Sequence, residues 1–106
     1  LVSEPQRGEV WWAEVAEAGR RPFLVLTRTR AIPVLHSVLA APLTRTVRDI
    51  PTELSLSPED GVPTDCAASF DNIRVIPKDH LTERVCVLDP MRMLDACAAL
   101  RTAVDC

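Results

Sequence analysis

Arg21 and Thr44 are residue types suited to gripping a phosphate, and the stretch between them is patterned to bring them together. A guanidinium is always charged and presents a fork of donors, while a hydroxyl adds one donor that can turn to suit its target. The chain reads Gly19-Arg20-Arg21-Pro22, the apolar run Phe23-Leu24-Val25-Leu26, a polar loop, a second apolar run from Val38 to Leu43, and then Thr44-Arg45-Thr46. Two short strands joined by a loop place a residue before the first and one after the second at the same end of a sheet. The spacing therefore predicts that Arg21 and Thr44 face one spot.

RNA is a polymer on which such a pair could do chemistry. It carries its own nucleophile, the 2′-hydroxyl beside each phosphodiester, so orienting that group and stabilising charge on the phosphate oxygens promotes cleavage. This chemistry requires no metal, and arginine fits it better than lysine. Histidine, the usual acid or base near neutral pH, occurs only at His36 and His80, which leaves a two-histidine nuclease or two solvated surface side chains as readings. The chain has no Ser-His-Asp order, glycine-rich phosphate loop or metal-binding helix motif, so neither a metal nor a cofactor is expected. Glu59, Asp60, Asp65 and Asp71 are scattered through turns, where acids more often cap than pair for catalysis. Cys66, Cys86, Cys97 and Cys106 show no two-residue spacing, so they are expected as free thiols in a reducing cytosol, with Cys106 the most exposed.

The elements that must position the pair are short. Arg7-Gly8 opens a strand, Glu9 to Val15, in which Trp11 and Trp12 point to opposite faces. One is core; the other lies at a dimer interface or offers a face on which a base stacks. Residues 16–20 form a loop with Gly19 at its turn. Pro22 starts the second strand, and Phe23 to Leu26 suits a strand covered on both faces. Val38 to Thr44 is the third strand, with Pro42 marking an edge or a bulge, and 31–37 is left unassigned. Thr52 to Leu56 alternates like a strand with one wet face, and Ser57-Pro58-Glu59-Asp60-Gly61 carries the signals of a single helical turn. A long strand from Asp65 to Ile76 is interrupted near Asp71-Asn72, a turn follows at Pro77 to His80, and a last strand runs from Glu83 to Leu88. Asp89-Pro90 then caps a helix over 90–106 whose apolar stripe is Met93, Cys97, Leu100 and Val104. Five or six strands with one closing helix describe a mainly β fold, a small twisted antiparallel barrel or sheet stack.

The chain of 106 residues is 47% hydrophobic, enough for the core of one domain over 1–106 with a loose lead-in at 1–6. No apolar run approaches the roughly 20 residues of a membrane helix, and no basic flank leads into a long apolar stretch, so neither a membrane span nor a secretory signal is expected. The formal charge is −3, but it is unevenly spread. Up to Arg48 there are seven arginines against four glutamates; from Asp49 onward there are five basic residues against eleven acidic ones. A locally positive surface can attract a polyanion over a Debye length of about 8 to 10 Å. Each of these arginines taken singly reads equally well as a solvated loop residue.

The succession Arg7-Gly8-Glu9-Val10-Trp11-Trp12, then Gly19-Arg20-Arg21-Pro22-Phe23-Leu24-Val25-Leu26, then Ala41-Pro42-Leu43-Thr44-Arg45-Thr46, then Asp65-Cys66 through Phe70-Asp71-Asn72-Ile73, and finally Leu81-Thr82-Glu83-Arg84-Val85 resembles the MazF/PemK family of bacterial toxin endoribonucleases. The likeness implies a small antiparallel Src-homology-type barrel with short helical turns and one C-terminal helix, as in the PemK, MazF and CcdB toxins. It also implies a cytoplasmic homodimer that cleaves single-stranded RNA without metal, leaving a 2′,3′-cyclic phosphate and a 5′-hydroxyl, and a cognate MazE-like antitoxin that covers the same groove. Arg21 and Thr44 match the family's essential arginine and threonine. Arg20 falls where some relatives have histidine, Glu17 near a functional acid, and Asp71 and Asn72 where relatives carry an acid or amide pair. Arg28, Arg30, Arg45, Thr46, Arg48 and Trp12 complete the expected RNA-binding set, with the loops 27–37 and 45–50 choosing the cleaved sequence. Two alternatives belong to other classes: a non-enzymatic barrel toxin that binds a protein target such as DNA gyrase, and a plain RNA-binding barrel.

Overall fold

In the computed structural model, which describes residues 4–16 and 19–105, the strands are β1 (Glu9–Val15), β2 (Gly19–Val25), β3 (Ser37–Thr44), β4 (Glu53–Leu56), β5 (Cys66–Ser69), β6 (Arg74–Pro77) and β7 (Leu81–Val87), and one helix, α1 (Pro90–Val104), follows them. The ladder runs β4-β5-β3-β2-β1-β7, with β6 also on β3, and every pairing is antiparallel. The antiparallel pairing and the closing helix are as the sequence predicts, but the described strands number seven rather than five or six, because the interrupted strand over 65–76 divides into β5 and β6, which pair with different parts of β3. The ladder stays open, with β4 and β7 at its ends.

Strand alternation splits the core between two faces. Trp11, Ala13, Phe23, Val25, Val38 and Ala40 pack together on one; Val10, Leu24, Leu26, Ala41 and Leu43 face α1 and β4 on the other. Trp11 is therefore the core tryptophan, and β2 is covered on both sides as its unbroken apolar run requires.

Four details differ from the sequence expectations. β2 begins three residues before Pro22. Pro42 sits neither on an edge strand nor at a bulge: β3 pairs with β6 through Ala40 and with β5 from Leu43. Pro42 falls at the handover between these two partners, where a missing N–H costs least. A 3₁₀ turn at Thr29–Val34 runs into the unassigned segment 31–37. Of the expected stripe Met93 and Leu100 pack partly buried against the core, but the fully buried helix positions are Ala96 and Ala99, and Val104 is 49% exposed. The buried line thus runs through the alanines, with Met93 and Leu100 half-buried beside it.

The expected single turn forms at Pro58–Asp60, with Ser57 and Asp60 in a reciprocal capping box and Gly61 ending it at φ 108°. A Cβ at Gly61 would lie 2.7 Å from Cys86 Cβ. Gly61→Ala therefore combines a left-handed backbone with a backbone-anchored clash and is expected to cost at least about 2 kcal/mol, read as a lowered urea midpoint at unchanged slope.

Candidate active site

The register of β2 on β3 decides where the two key side chains meet. Phe23 pairs with Pro42, Leu24 with Ala41 and Val25 with Ala40. The ladder ends at the Phe23–Pro42 pair, so Arg21 and Thr44 each lie two residues beyond its end and, by strand alternation, on the face that carries Phe23. Arg21 and Thr44 accordingly stand together on the ridge between two grooves and line both, as does Thr46.

The first groove, of about 710 Å³, takes Phe23 and Pro42 as apolar floor and adds Arg48, Asp71, Asn72 and Arg74. The second, of about 500 Å³, is more apolar: Val10, Leu43, Val62 and Val85 line it with Trp12, Arg20 and Arg45. Thr44 Oγ1 accepts from Thr46 N–H at 3.2 Å, which fixes the hydroxyl oxygen and leaves its proton to donate. Among the described residues Arg21, Arg45, Arg48 and Arg74 have no ion-pair partner. Unpaired guanidiniums on one surface are suited to a run of phosphates.

Arg20 differs from its neighbour. Its guanidinium lies 4.5 Å from the centre of the Trp12 ring and 3.1 Å from Glu83. Arg20 thus covers one face of the half-buried Trp12 ring, and a base could stack only on what remains.

The expected RNA-binding residues separate into those the fold gathers and those it does not. Arg20, Arg45, Thr46, Arg48, Asp71, Asn72 and Trp12 line one groove or both. Arg28 and Arg30 line neither groove. Arg28 lies seven residues beyond Arg21 on the far side of β2, roughly 20 Å at the rise of a strand. Glu17 and Cys106 lie outside the described residues. Neither His36 nor His80 lines either of these two grooves, so the two-histidine arrangement does not form there. Glu53, Ser69 and Arg74 line the first groove and were not expected; Arg74, three residues after Asp71 in the interrupted strand, was the one a basic-residue count could have found.

Cys66, Cys86 and Cys97 are free. Burial pushes the Cys66 thiol up, and Asp65 beside it acts the same way; burial and then Asp60 raise Cys86. Cys66 lines the second groove as a protonated thiol rather than a nucleophile. Among the described residues no three His, Cys, Asp or Glu side chains gather as a metal site, and no helix is long and apolar enough to cross a membrane.

An antiparallel sheet bearing a ridge with an arginine and a threonine, flanked by two arginine-lined grooves, has a surface suited to a phosphodiester chain. Residues 6–104 match the family described as PemK-like, MazF-like toxin of type II toxin-antitoxin system, and the chain belongs to that family. It is 45% identical over 107 aligned positions, covering all of this chain and 98% of the relative, to the Probable endoribonuclease MazF5 of Mycobacterium tuberculosis. Among solved structures it resembles an endoribonuclease in complex with its cognate antitoxin from a Mycobacterial species, at 30% identity and a TM-score of 0.87 over 95% of each chain. It also resembles the Mycobacterium tuberculosis toxin MazF-mt6, at 30% identity and a TM-score of 0.85, over 92% of this chain and 96% of that one.

Proposed function

We propose that this toxin is an endoribonuclease that cuts single-stranded RNA on the ridge between its two grooves. The observation that carries the reading is the convergence of Arg21 and Thr44 from adjacent strands onto one ridge, with the guanidinium free of any carboxylate among the described residues. The 2′-hydroxyl gives up its proton and its oxygen attacks phosphorus as the bond to the 5′-oxygen breaks, and that leaving oxygen takes up a proton to become the 5′-hydroxyl. Charge gathers on the non-bridging oxygens, where Arg21 acts as a clamp and Thr44 donates a hydrogen bond. The products are a 2′,3′-cyclic phosphate and a 5′-hydroxyl, and no metal takes part. The flanking arginines hold the phosphates on either side. The active species is a cytoplasmic homodimer, and a cognate antitoxin silences it by laying an acidic, apolar tail that folds as it binds along the same grooves.

Incubating a short RNA with the protein in excess chelator tests this. Cyclic-phosphate ends support it; intact RNA from folded protein defeats it and favours a toxin that acts by binding. Thr44→Val keeps the shape and removes the donor, and is expected to slow single-turnover cleavage about 10- to 100-fold. An unchanged rate would remove Thr44 from the chemistry.

A further inference from the structure

The first groove carries charges that phosphate binding alone does not explain. Glu53 and Asp71 line it beside Arg21, Arg48 and Arg74, and among the described residues none of these five side chains closes into an ion pair. A carboxylate facing a polyanion weakens its binding unless a donor comes to meet it. Both carboxylates are fixed through one oxygen: Arg48 N–H donates to Glu53 Oε1 at 3.0 Å, and Thr52 Oγ1 donates to Asp71 Oδ2 at 2.5 Å. The backbone joins them into one wall, since Glu53 pairs with Ser69 and Phe70 N–H donates to the Thr52 carbonyl at 3.0 Å. Each therefore keeps a second oxygen for a ligand, and a carboxylate oxygen can only accept.

We infer that this wall reads a nucleotide by its amino group: the base seated in the first groove beside the scissile phosphate is cytosine, adenine or guanine, and uracil is rejected there. The inference rests on the reading that the groove takes RNA. Each of the three favoured bases presents an exocyclic amine to an acceptor. Uracil presents a single N–H flanked by two carbonyl oxygens, which would face Glu53 and Asp71 with no proton between them. In a single strand the base edges are free to be read this way. The guanidiniums, kept apart from the carboxylates, remain for the phosphates, so position and sequence are read by separate groups.

The sites cut in a randomised single-stranded RNA test this with the protein unaltered. One position at a fixed distance from the cut bond is expected to show uracil depleted about 10- to 100-fold, the size of one good base contact. In the best substrate, replacing the amine at that position by oxygen, cytosine by uracil or adenine by hypoxanthine, is expected to give a loss of the same size. Glu53→Gln and Asp71→Asn each trade an acceptor for a donor at nearly constant shape. They are expected to raise the share of uracil at that position by about tenfold relative to the amino bases. A wild-type profile with no uracil-depleted position overturns the inference, as does insensitivity to the amine replacement or profiles of both variants that superimpose on wild type; in each case the nuclease reading stands. Wild-type protein that cuts no RNA overturns the nuclease reading, and the inference falls with it.

Discussion

Arg21→Ala is expected to slow RNA cleavage by about 100- to 1,000-fold, the usual consequence of losing one preorganised donor to a developing oxyanion, while the protein melts at its wild-type temperature. The separation of the two effects follows from where Arg21 sits. Its backbone pairs with Ala13 in the β1–β2 ladder, and an alanine keeps those bonds. Its side chain is exposed and has no ion pair among the described residues, so the substitution is expected to change stability by less than about 0.5 kcal/mol. Binding should also weaken far less than cleavage, because Arg45, Arg48 and Arg74 remain in the grooves. Losing one phosphate contact lowers the salt dependence of single-strand binding by about 0.7 in log-log slope. Arg21→Lys keeps the charge without the planar fork and is expected to recover only a minor part of the rate. Single-turnover cleavage, a salt titration of binding and a thermal melt on the same preparation decide it. Wild-type cleavage by Arg21→Ala would end the proposal that this ridge is the catalytic site.

How much of this could be read from the sequence depended on whether a feature was set locally. The convergence of Arg21 and Thr44 could be read because an antiparallel pair joined by one loop puts the start of one strand beside the end of the other, and the unbroken apolar run Phe23 to Leu26 suited a strand covered on both faces. The helix start was equally plain: Asp89 accepts from Arg92 N–H at 3.0 Å, as an acid before Pro90 should. The helix face was not, because whether Ala96 or Cys97 is buried depends on how closely a partner approaches. Pro42 misled for a related reason. Proline marks an absent hydrogen bond, and here that absence reflects β3 passing from β6 to β5 rather than an edge. Among site residues, Arg28 and Arg30 share the basic character of Arg21 but are carried to the opposite end by the same strand. Glu53 and Arg74 reach the groove from β4 and β6, two strands whose placement beside β5 and β3 is set by long-range pairing, so no local pattern announces them. Glu9 carried no signal at all as an opening residue of β1, though it is buried to 6% exposure.

Glu9→Ala is expected to destabilise the fold by about 3 to 5 kcal/mol, which for a chain of this length lowers the melting temperature by roughly 15 °C or more. One oxygen, Oε1, accepts from both Gln6 N–H at 2.8 Å and the Trp11 indole N–H at 2.9 Å, and Oε2 accepts from Arg84 at 3.1 Å. The first two bonds dominate. Arg84 is 58% exposed at its side chain and returns to water when its partner is lost, so that ion pair contributes little. Trp11 is 6% exposed, and without Glu9 its indole N–H has no acceptor, at about 1 to 3 kcal/mol for the stranded donor. The void left by the side chain adds to this, since Trp11 anchors the face shared by Phe23, Val25 and Val38. Glu9→Gln retains a carbonyl oxygen where Oε1 stands and turns an amide toward Arg84, so it is expected to cost only about 1 to 2 kcal/mol. The order Ala well below Gln, with Gln slightly below wild type, distinguishes a buried acceptor from a charge requirement. If Gln is as damaging as Ala in urea denaturation, the ion pair with Arg84 and not the indole bond is what holds this corner. Because Gly8, next to Glu9, donates to the Val25 carbonyl at 2.9 Å, loosening this corner also frees the far end of β2. The alanine variant is therefore expected to lose cleavage only as it unfolds, in step with the melt.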